Sequence, residues 1–153
     1  MPAQNTDPIA CGLPHRDPFV FIDRVIERLP DERAVCAKTF PETEPFFRGH
    51  FPGDPLVPGV ILTEALAQTA GIAAGREGQS LRLSAIRQMK FLRAVRPGEE
   101  IALRAEKMGG MAGLLQFRVV AEVRGECVAE GVIVLSEAPG AATNDRGTAL
   151  VRD

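Results

Sequence analysis

The sequence contains neither Trp nor Tyr, and its eight aromatic residues are all Phe. So few rings make the stacking platforms that bind single-stranded nucleic acid hard to build. Eighteen basic residues stand against twenty acidic ones, which gives a formal net charge of -2. The chain as a whole therefore lacks the basic footprint of a nucleic-acid-binding protein, and we predict no nucleic-acid partner.

Cysteine and histidine are also scarce. The three cysteines, Cys11, Cys36 and Cys127, are widely spaced and form no CxxC pair, and the two histidines, His15 and His50, are far apart. This spacing disfavours a zinc site or a redox pair, so we predict no metal. The pattern is typical of small buried or half-buried thiols in a reducing compartment.

No apolar run approaches the roughly 20 residues that cross a bilayer. The longest candidate, residues 60–74, is interrupted by Thr63, Glu64, Gln68 and Thr69. The first residues also lack the basic start and apolar stretch of a secretory signal. We expect a cytoplasmic protein that does not enter a membrane.

The length of 153 residues favours one domain. We expect a loose lead-in over residues 1–12, a folded domain over residues 13–137 and a flexible tail over residues 138–153. Residues 41–59 hold five prolines and three glycines together with three Phe, which indicates a stiff, ordered loop.

Residues 60–74 predict the one long helix, which is apolar on nearly every side and so needs cover on several sides. The remaining elements are predicted from alternating apolar residues and turn residues: strands at 19–29, 34–40, 81–95, 101–107, 115–123 and 127–135, with turns at 31–32, 96–99, 109–113 and 124–126. The sum is an α+β domain with one helix on an antiparallel sheet. A strongly curved sheet, or a second copy of the chain, would supply the cover.

Three residues around the loop and the helix could carry chemistry. His50 lies between small and rigid neighbours, which would hold a general base in place, although a loop histidine packed on Phe51 is an equally simple interpretation. Glu64 lies in an apolar helix, where a carboxylate is costly unless it is used or paired; a narrow exposed stripe is the alternative. The unpaired amides at the helix start, near Gly59, can stabilise a negative oxygen.

Three motifs follow one another: residues 44–53 (Glu-Pro-Phe-Phe-Arg-Gly-His-Phe-Pro-Gly), residues 58–60 (Pro-Gly-Val) and residues 64–68 (Glu-Ala-Leu-Ala-Gln). Their order resembles the β-hydroxyacyl-acyl carrier protein dehydratases of the FabZ type. Further matches lie at residues 13–16, 18–19, 23–24, 90–98 and 125–130, so that the likeness covers about residues 12–136.

The resemblance implies a hotdog fold, in which a curved antiparallel sheet wraps around one long central helix. It implies that His50 is the catalytic base and Glu64 the acid, contributed by opposite subunits of a homodimer, and that the Gly59 amide holds the thioester carbonyl. We also expect Phe51 and Gln68 to contact the substrate. Because the helix acid is Glu rather than Asp, we expect no double-bond isomerisation.

The implied reaction converts a 3-hydroxyacyl thioester on acyl carrier protein to the trans-2-enoyl thioester, as part of fatty-acid or related lipid or polyketide synthesis. No cofactor is implied, because the phosphopantetheine arm belongs to the substrate's carrier. The family often assembles three dimers into a homohexamer. The alternatives are an acyl-CoA thioesterase, an (R)-specific enoyl-CoA hydratase or a non-catalytic acyl-binding domain.

A basic segment could steer the acidic carrier protein. Between Glu77 and Glu99 the chain has five basic residues and no acid, and we predict Lys90, Arg93 and Arg96 as the carrier-protein patch. A solvated strand face is an equally weighted interpretation. We expect His15 to be structural, holding the N-terminal segment.

Overall fold

A computed structural model describes residues 6–75 and 80–137 of the chain. Its elements are β1 (Arg24–Leu29), β2 (Arg33–Thr39), a short 3-10 helix (Pro45–Arg48), α1 (Gly59–Ala74), β3 (Leu81–Phe91), β4 (Glu100–Met111), β5 (Leu114–Val123) and β6 (Glu126–Glu137). The six strands form one antiparallel sheet in the order β1-β2-β4-β5-β6-β3. The sheet curves around α1, which confirms the predicted α+β hotdog architecture. The predicted tail over residues 138–153 lies outside the described residues.

Helix α1 occupies the centre of the fold. Eleven of its sixteen residues are buried, including the polar Thr63, Gln68 and Thr69, as its nearly all-round apolar sequence predicts. It begins after Pro58, which cannot donate a backbone hydrogen bond, and ends at Gly75. Gly75 has a φ of 65°, the left-handed conformation that commonly terminates helices and that glycine adopts without steric cost.

Three predicted boundaries are wrong. Strand β3 ends at Phe91 rather than at residue 95, since the Val95 carbonyl accepts from the Val57 amide of the loop instead of pairing with a strand. The first strand begins at Arg24 rather than at residue 19, because the backbone amide of Phe21 donates to the side chain of Gln68 on α1 instead of to a neighbouring strand. The turn predicted at 109–113 is shorter, since β4 continues to Met111 through its two glycines. A Cβ on Gly110 would lie 2.9 Å from both the Leu114 carbonyl oxygen and the Leu115 side chain. Gly110 therefore permits close strand approach rather than a turn.

The described part of the lead-in is held by turns. The amide of Cys11 donates to the Asp7 carbonyl at 3.0 Å, and that of Gly12 to the Ile9 carbonyl at 3.0 Å. Cys11 and Leu13 are buried in the core. None of the three cysteines forms a disulfide, and Cys127 is half-buried. Within residues 6–75 and 80–137, no helix is long and apolar enough to cross a bilayer.

Strand β3 is an edge of the sheet and is exposed along nearly its whole length. Ile86 at its centre is 51% exposed, and Phe91 at its end is also 51% exposed. A long edge strand with exposed apolar side chains is a ready template for pairing with another chain. A second copy of the chain would find unpaired backbone groups along this edge.

Candidate active site

The loop before α1 holds the imidazole of His50 by one nitrogen. Its Nδ1 lies 3.1 Å from the carbonyl oxygen of Leu56, and the Leu56 amide donates in return to the His50 carbonyl at 3.0 Å. A carbonyl oxygen can only accept, so Nδ1 carries the hydrogen and Nε2 is left as the basic nitrogen of the neutral ring. The ring stacks on Phe51 with centroids 4.3 Å apart, and the amide of Val57 pins the loop to the Val95 carbonyl at 2.8 Å.

His50 and the start of α1 open into the same cavity, which has a volume of about 380 Å³ and includes Gly59, Phe91 and Arg93 in its wall. Pro58 gives α1 no side-chain cap. Among the described residues, the Gly59 amide has no hydrogen-bond acceptor. A Cβ on Gly59 would lie 3.1 Å from the Phe91 ring, so glycine allows this amide to lie close to β3. The cavity thus combines a base with an unpaired N–H donor.

Glu64 lies in a second cavity, of about 290 Å³, whose wall also includes His15, Gly71 and Leu83. The Glu64 carboxylate oxygen Oε2 is 3.3 Å from His15 Nε2 and accepts a hydrogen bond from Gln68 Nε2 at 3.1 Å. Pairing therefore offsets the cost of half-burying this carboxyl group in an apolar helix. The contact with His15 was not foreseen, since nothing in the spacing of residues 15 and 64 indicates proximity.

Within one chain, the structure does not bring His50 and Glu64 into a common cavity, because the two cavities share no lining residue. Both nevertheless reach β3. The Glu64 cavity includes Leu81 and Leu83 at the beginning of that strand, and the His50 cavity includes Phe91 at its end. The candidate base and acid thus lie near opposite ends of the same exposed edge.

The remaining predicted contact residues differ in accessibility. Phe51 is 52% exposed beside His50. Gln68 lines the Glu64 cavity but is only 1% exposed, and its amide is engaged with protein groups. Its Oε1 accepts from the Phe21 amide at 2.9 Å, and its Nε2 donates to the Phe19 carbonyl at 3.0 Å. The geometry gives Gln68 a role in holding the segment around residues 19–21 against α1.

The basic patch predicted near the site is partly neutralised by acids from other parts of the chain. Arg96 forms an ion pair with Asp54, while Arg93 lies 4.0 Å from Glu99 and 3.7 Å from Glu126. A hydrogen bond from the Arg96 backbone amide lowers the pKa of Glu99, despite its burial. Lys90 is exposed and, in the described part of the chain, has no ion pair. The net positive charge of the patch is therefore smaller than its sequence indicates.

No group of three or more His, Cys, Asp or Glu side chains is arranged to bind a metal within residues 6–75 and 80–137. The two cavities are lined by the imidazoles of His15 and His50, the carboxyl group of Glu64 and the backbone at the start of α1. This is a set suited to moving protons next to a polarised carbonyl.

Known proteins share this sequence and fold. The model of the ApeI-like family, described as ApeI dehydratase, matches residues 27–132. A 3-hydroxyacyl-[acyl-carrier-protein] dehydratase FabZ from Acetivibrio thermocellus is 45% identical over 125 residues, which cover 79% of this chain and 86% of that protein. One from Ralstonia nicotianae is 40% identical over 129 residues, covering 80% and 79%.

Among solved structures, the dehydratase heterocomplex ApeI:P from Xenorhabdus doucetiae matches with a TM-score of 0.75 and 17% identity, covering 94% of this chain and 99% of that one. At this identity the likeness shows the fold alone. Fold and relatives together define a hotdog-fold dehydratase. The chain belongs to the ApeI-like dehydratase family and is of the FabZ type.

Proposed function

We propose that this protein dehydrates (3R)-3-hydroxyacyl thioesters on acyl carrier protein to trans-2-enoyl thioesters, without a metal or redox cofactor. The names of the FabZ relatives support the substrate class. The observation that carries the proposal is a single cavity lined by both His50, whose Nδ1 is held by the Leu56 carbonyl, and Gly59, whose amide is unpaired among the described residues. A base and a carbonyl-polarising donor in one cavity are the requirements for removing a proton next to a thioester.

In this mechanism the Gly59 N–H donates to the thioester oxygen and acidifies the hydrogens on C2. His50 Nε2 removes one C2 proton, and the electron pair of that C–H bond moves onto the thioester oxygen as an enolate, which the Gly59 N–H stabilises. The enolate then collapses, and this electron pair forms the C2–C3 double bond as the hydroxyl group leaves. The C3–O bond breaks, and the departing oxygen takes a proton from the Glu64 carboxyl group and leaves as water. The C2 proton then returns from His50 to Glu64 through solvent, which restores both groups.

The reaction requires His50 and Glu64 to face one substrate, and we propose that a two-fold homodimer achieves this. Antiparallel pairing of two β3 edges centred near Ile86 would lay Leu81 of one chain opposite Phe91 of its partner. The Glu64 cavity of one subunit would then adjoin the His50 cavity of the other, giving two equivalent shared sites. The pairing would also cover the exposed apolar edge.

The apolar part of the Glu64 cavity, which includes Gly71, Leu83 and Leu135, suits the acyl chain beyond C3. The carrier protein would approach the His50 side, where Lys90, Arg93 and Arg96 remain the proposed patch. The carrier arm would then enter past Phe51. We further propose that the protein works in the cytoplasm and that three dimers can associate into a hexamer.

The experiment that tests the function is incubation of the purified protein with 3-hydroxyacyl groups of several lengths on acyl carrier protein. We expect enoyl product at chain lengths that the Glu64 cavity accepts. Release of free carrier thiol instead would identify a thioesterase, and binding without either product would identify an acyl-binding domain. Equal or better turnover of the CoA thioester would favour the hydratase alternative.

Removing either catalytic group should nearly abolish turnover. We expect His50→Ala and Glu64→Ala to lower kcat by about 10²-fold or more, because general acid-base catalysis contributes on this scale. Product is measured by the absorbance of the enoyl thioester, and circular dichroism checks that each variant folds. Near-normal dehydration by either folded variant would contradict the assigned roles.

A further inference from the structure

We propose that His15 is a positioning residue for the acid Glu64, and that together with Gln68 it directs the reactive proton to the carboxyl oxygen Oε1. The inference rests on the proposed function. It starts from the contact between His15 Nε2 and Glu64 Oε2 at 3.3 Å. Both residues line the same cavity.

The second partner of Oε2, Gln68, is fixed in orientation by its other bonds. Its Oε1 accepts from the Phe21 amide, which can only donate, at 2.9 Å. The group facing Glu64 is therefore the Nε2 amide, a donor, at 3.1 Å. Since Gln68 is 1% exposed and also donates to the Phe19 carbonyl, its amide cannot turn over without losing these bonds.

The imidazole of His15, like the amide of Gln68, is held in place by neighbouring residues of the N-terminal segment. It stacks on the Phe19 ring with centroids 6.0 Å apart, and Leu13 anchors the segment in the core. Arg16 bridges the turn by donating to the carbonyls of Leu13 at 3.0 Å and His15 at 2.8 Å. The ring therefore meets Glu64 in a preset position rather than as a mobile side chain.

The hydrogen of His15 belongs on Nε2, because its Nδ1 is buried with no hydrogen-bond partner. Hydrogen on Nε2 satisfies the carboxyl group of Glu64 and leaves only an acceptor lone pair at Nδ1. Hydrogen on Nδ1 would instead bury a donor without an acceptor. In this tautomer Glu64 Oε2 receives two donors, one from His15 and one from Gln68.

Glu64 Oε1, in contrast, has no hydrogen bond within the described residues. The acid proton must therefore reside on Oε1, since Oε2 already accepts hydrogen bonds from both His15 and Gln68. From Oε1 the proton passes to the departing C3 oxygen, which leaves as water, and Glu64 becomes a carboxylate stabilised by the same two donors. His15 thus acts through Glu64 and transfers no proton itself.

The test compares His15→Gln, whose amide reaches as far as Nε2, with His15→Asn, whose shorter amide does not. We expect His15→Asn to lower kcat about tenfold to a hundredfold, the scale of one hydrogen bond to a charged group, with KM for carrier-bound substrate within about twofold. His15→Gln should keep kcat within about threefold of wild type. Both variants are polar, and thermal unfolding verifies that both fold.

A second measurement separates positioning from a merely structural role. In D2O, His15→Asn should raise the ratio of deuterium uptake at C2 of unreacted substrate to enoyl formed, because proton removal by His50 continues while C3–O cleavage slows. Equal kcat losses in the two variants, or an unchanged ratio, would overturn the proposal. Absence of enoyl product with the wild-type protein would instead refute the proposed function itself.

Discussion

Cys36 shows how burial sets the chemistry of a single residue in this fold. Its side chain projects from β2 and is fully buried in the core, and this burial raises the pKa of the thiol from 9.0 to about 12. Because the folded pKa exceeds the unfolded one, the neutral thiol is favoured by folding. The contribution of the neutral Cys36 thiol to the free energy of unfolding is fully present below pH 9 and is lost as the pH rises towards 12.

This shift predicts a loss of stability at alkaline pH. Between pH 8 and pH 10.5 the free energy of unfolding should fall by about 2 kcal/mol more in the wild type than in Cys36→Ala, at about 1.4 kcal/mol per pH unit above pH 9. Urea denaturation at both pH values measures the difference. The Ala variant serves as its own reference at pH 8, and parallel losses in the two proteins would contradict the shift.

At the residue scale, the sequence indicated candidates but not their partners. The motif around residues 44–53 makes His50 a candidate base, and the apolar surroundings of residue 64 make Glu64 a candidate acid; both roles stay predictions. The ion pair between Arg96 and Asp54 and the contact between His15 and Glu64 join residues that are distant in sequence. Such contacts depend on tertiary packing, which no local pattern encodes.

The pairing of β3 with β6 depends on a single glycine. A Cβ on Gly131 would lie 2.0 Å from the carbonyl oxygen of Gln88 on the neighbouring strand. That atom is backbone and cannot move without displacing β3, the strand on which both cavities depend. The register of this pair also shifts between Ile86 and Gln88, so the close approach lies at an irregular point of the ladder.

We expect Gly131→Ala to lower the free energy of unfolding by about 3 kcal/mol or more, the upper range for forced overpacking. The matched control is Gly109→Ala in β4, where a Cβ would meet nothing within 4 Å and the change should stay within about 0.5 kcal/mol. Urea denaturation measures both variants. Similar stabilities for the two would mean that the Gln88 carbonyl does not lie against residue 131.

Gly71 on α1 gives an element-scale prediction about substrate length. It lines the Glu64 cavity, and a Cβ there would meet nothing within 4 Å. Replacing a helical glycine also stabilises the helix, by about 1 kcal/mol. We expect Gly71→Leu to lower kcat/KM for long acyl chains at least about tenfold relative to short ones, through lost cavity volume.

The chain-length profile of carrier-bound substrates measures this change, with Gly71→Ala as the smaller step in the same direction. Analytical ultracentrifugation of both variants checks that the oligomeric state is unchanged. An equal reduction at every chain length would argue that the acyl group does not extend along this part of α1.

At the scale of elements, α1 was predictable because its Ala- and Leu-rich sequence ends at a glycine whose left-handed conformation stops the helix. The turn at residues 109–113 was predicted too long, because a glycine such as Gly110 is as typical of a close strand contact as of a turn. The start of β1 was predicted too early, because the hydrogen bond from the Phe21 amide to Gln68 depends on tertiary packing. Local sequence patterns thus predicted which helices and strands form, but not the boundaries that tertiary contacts set.

The separation of the two cavities gives a prediction for the whole molecule. If each site combines His50 of one subunit with Glu64 of its partner, co-expressed His50→Ala and Glu64→Ala chains should form active mixed dimers. Half of the dimers are mixed when assembly is random, and each has one intact site, so we expect about a quarter of wild-type activity.

The control pairs Glu64→Ala with His15→Asn, which damage the same half of the site and should give no activity beyond the His15→Asn contribution. Differently tagged chains allow the mixed dimers to be purified before assay. Failure of purified mixed dimers to exceed either parent would show that base and acid come from one chain. Activity in the mixed dimers would establish that the base and the acid come from two different chains.

The two separate cavities also bear on how this protein can be inherited and diversified. When the two halves of a reaction centre reside on different polypeptides, a duplicated gene could lose its imidazole while its sister loses its carboxyl, and the pair would still function as an obligate couple. A chain that lacks only one of the two groups would still form one intact site with a wild-type partner. A chain that lacks both groups would inactivate both sites of the mixed dimer and so impair its partner.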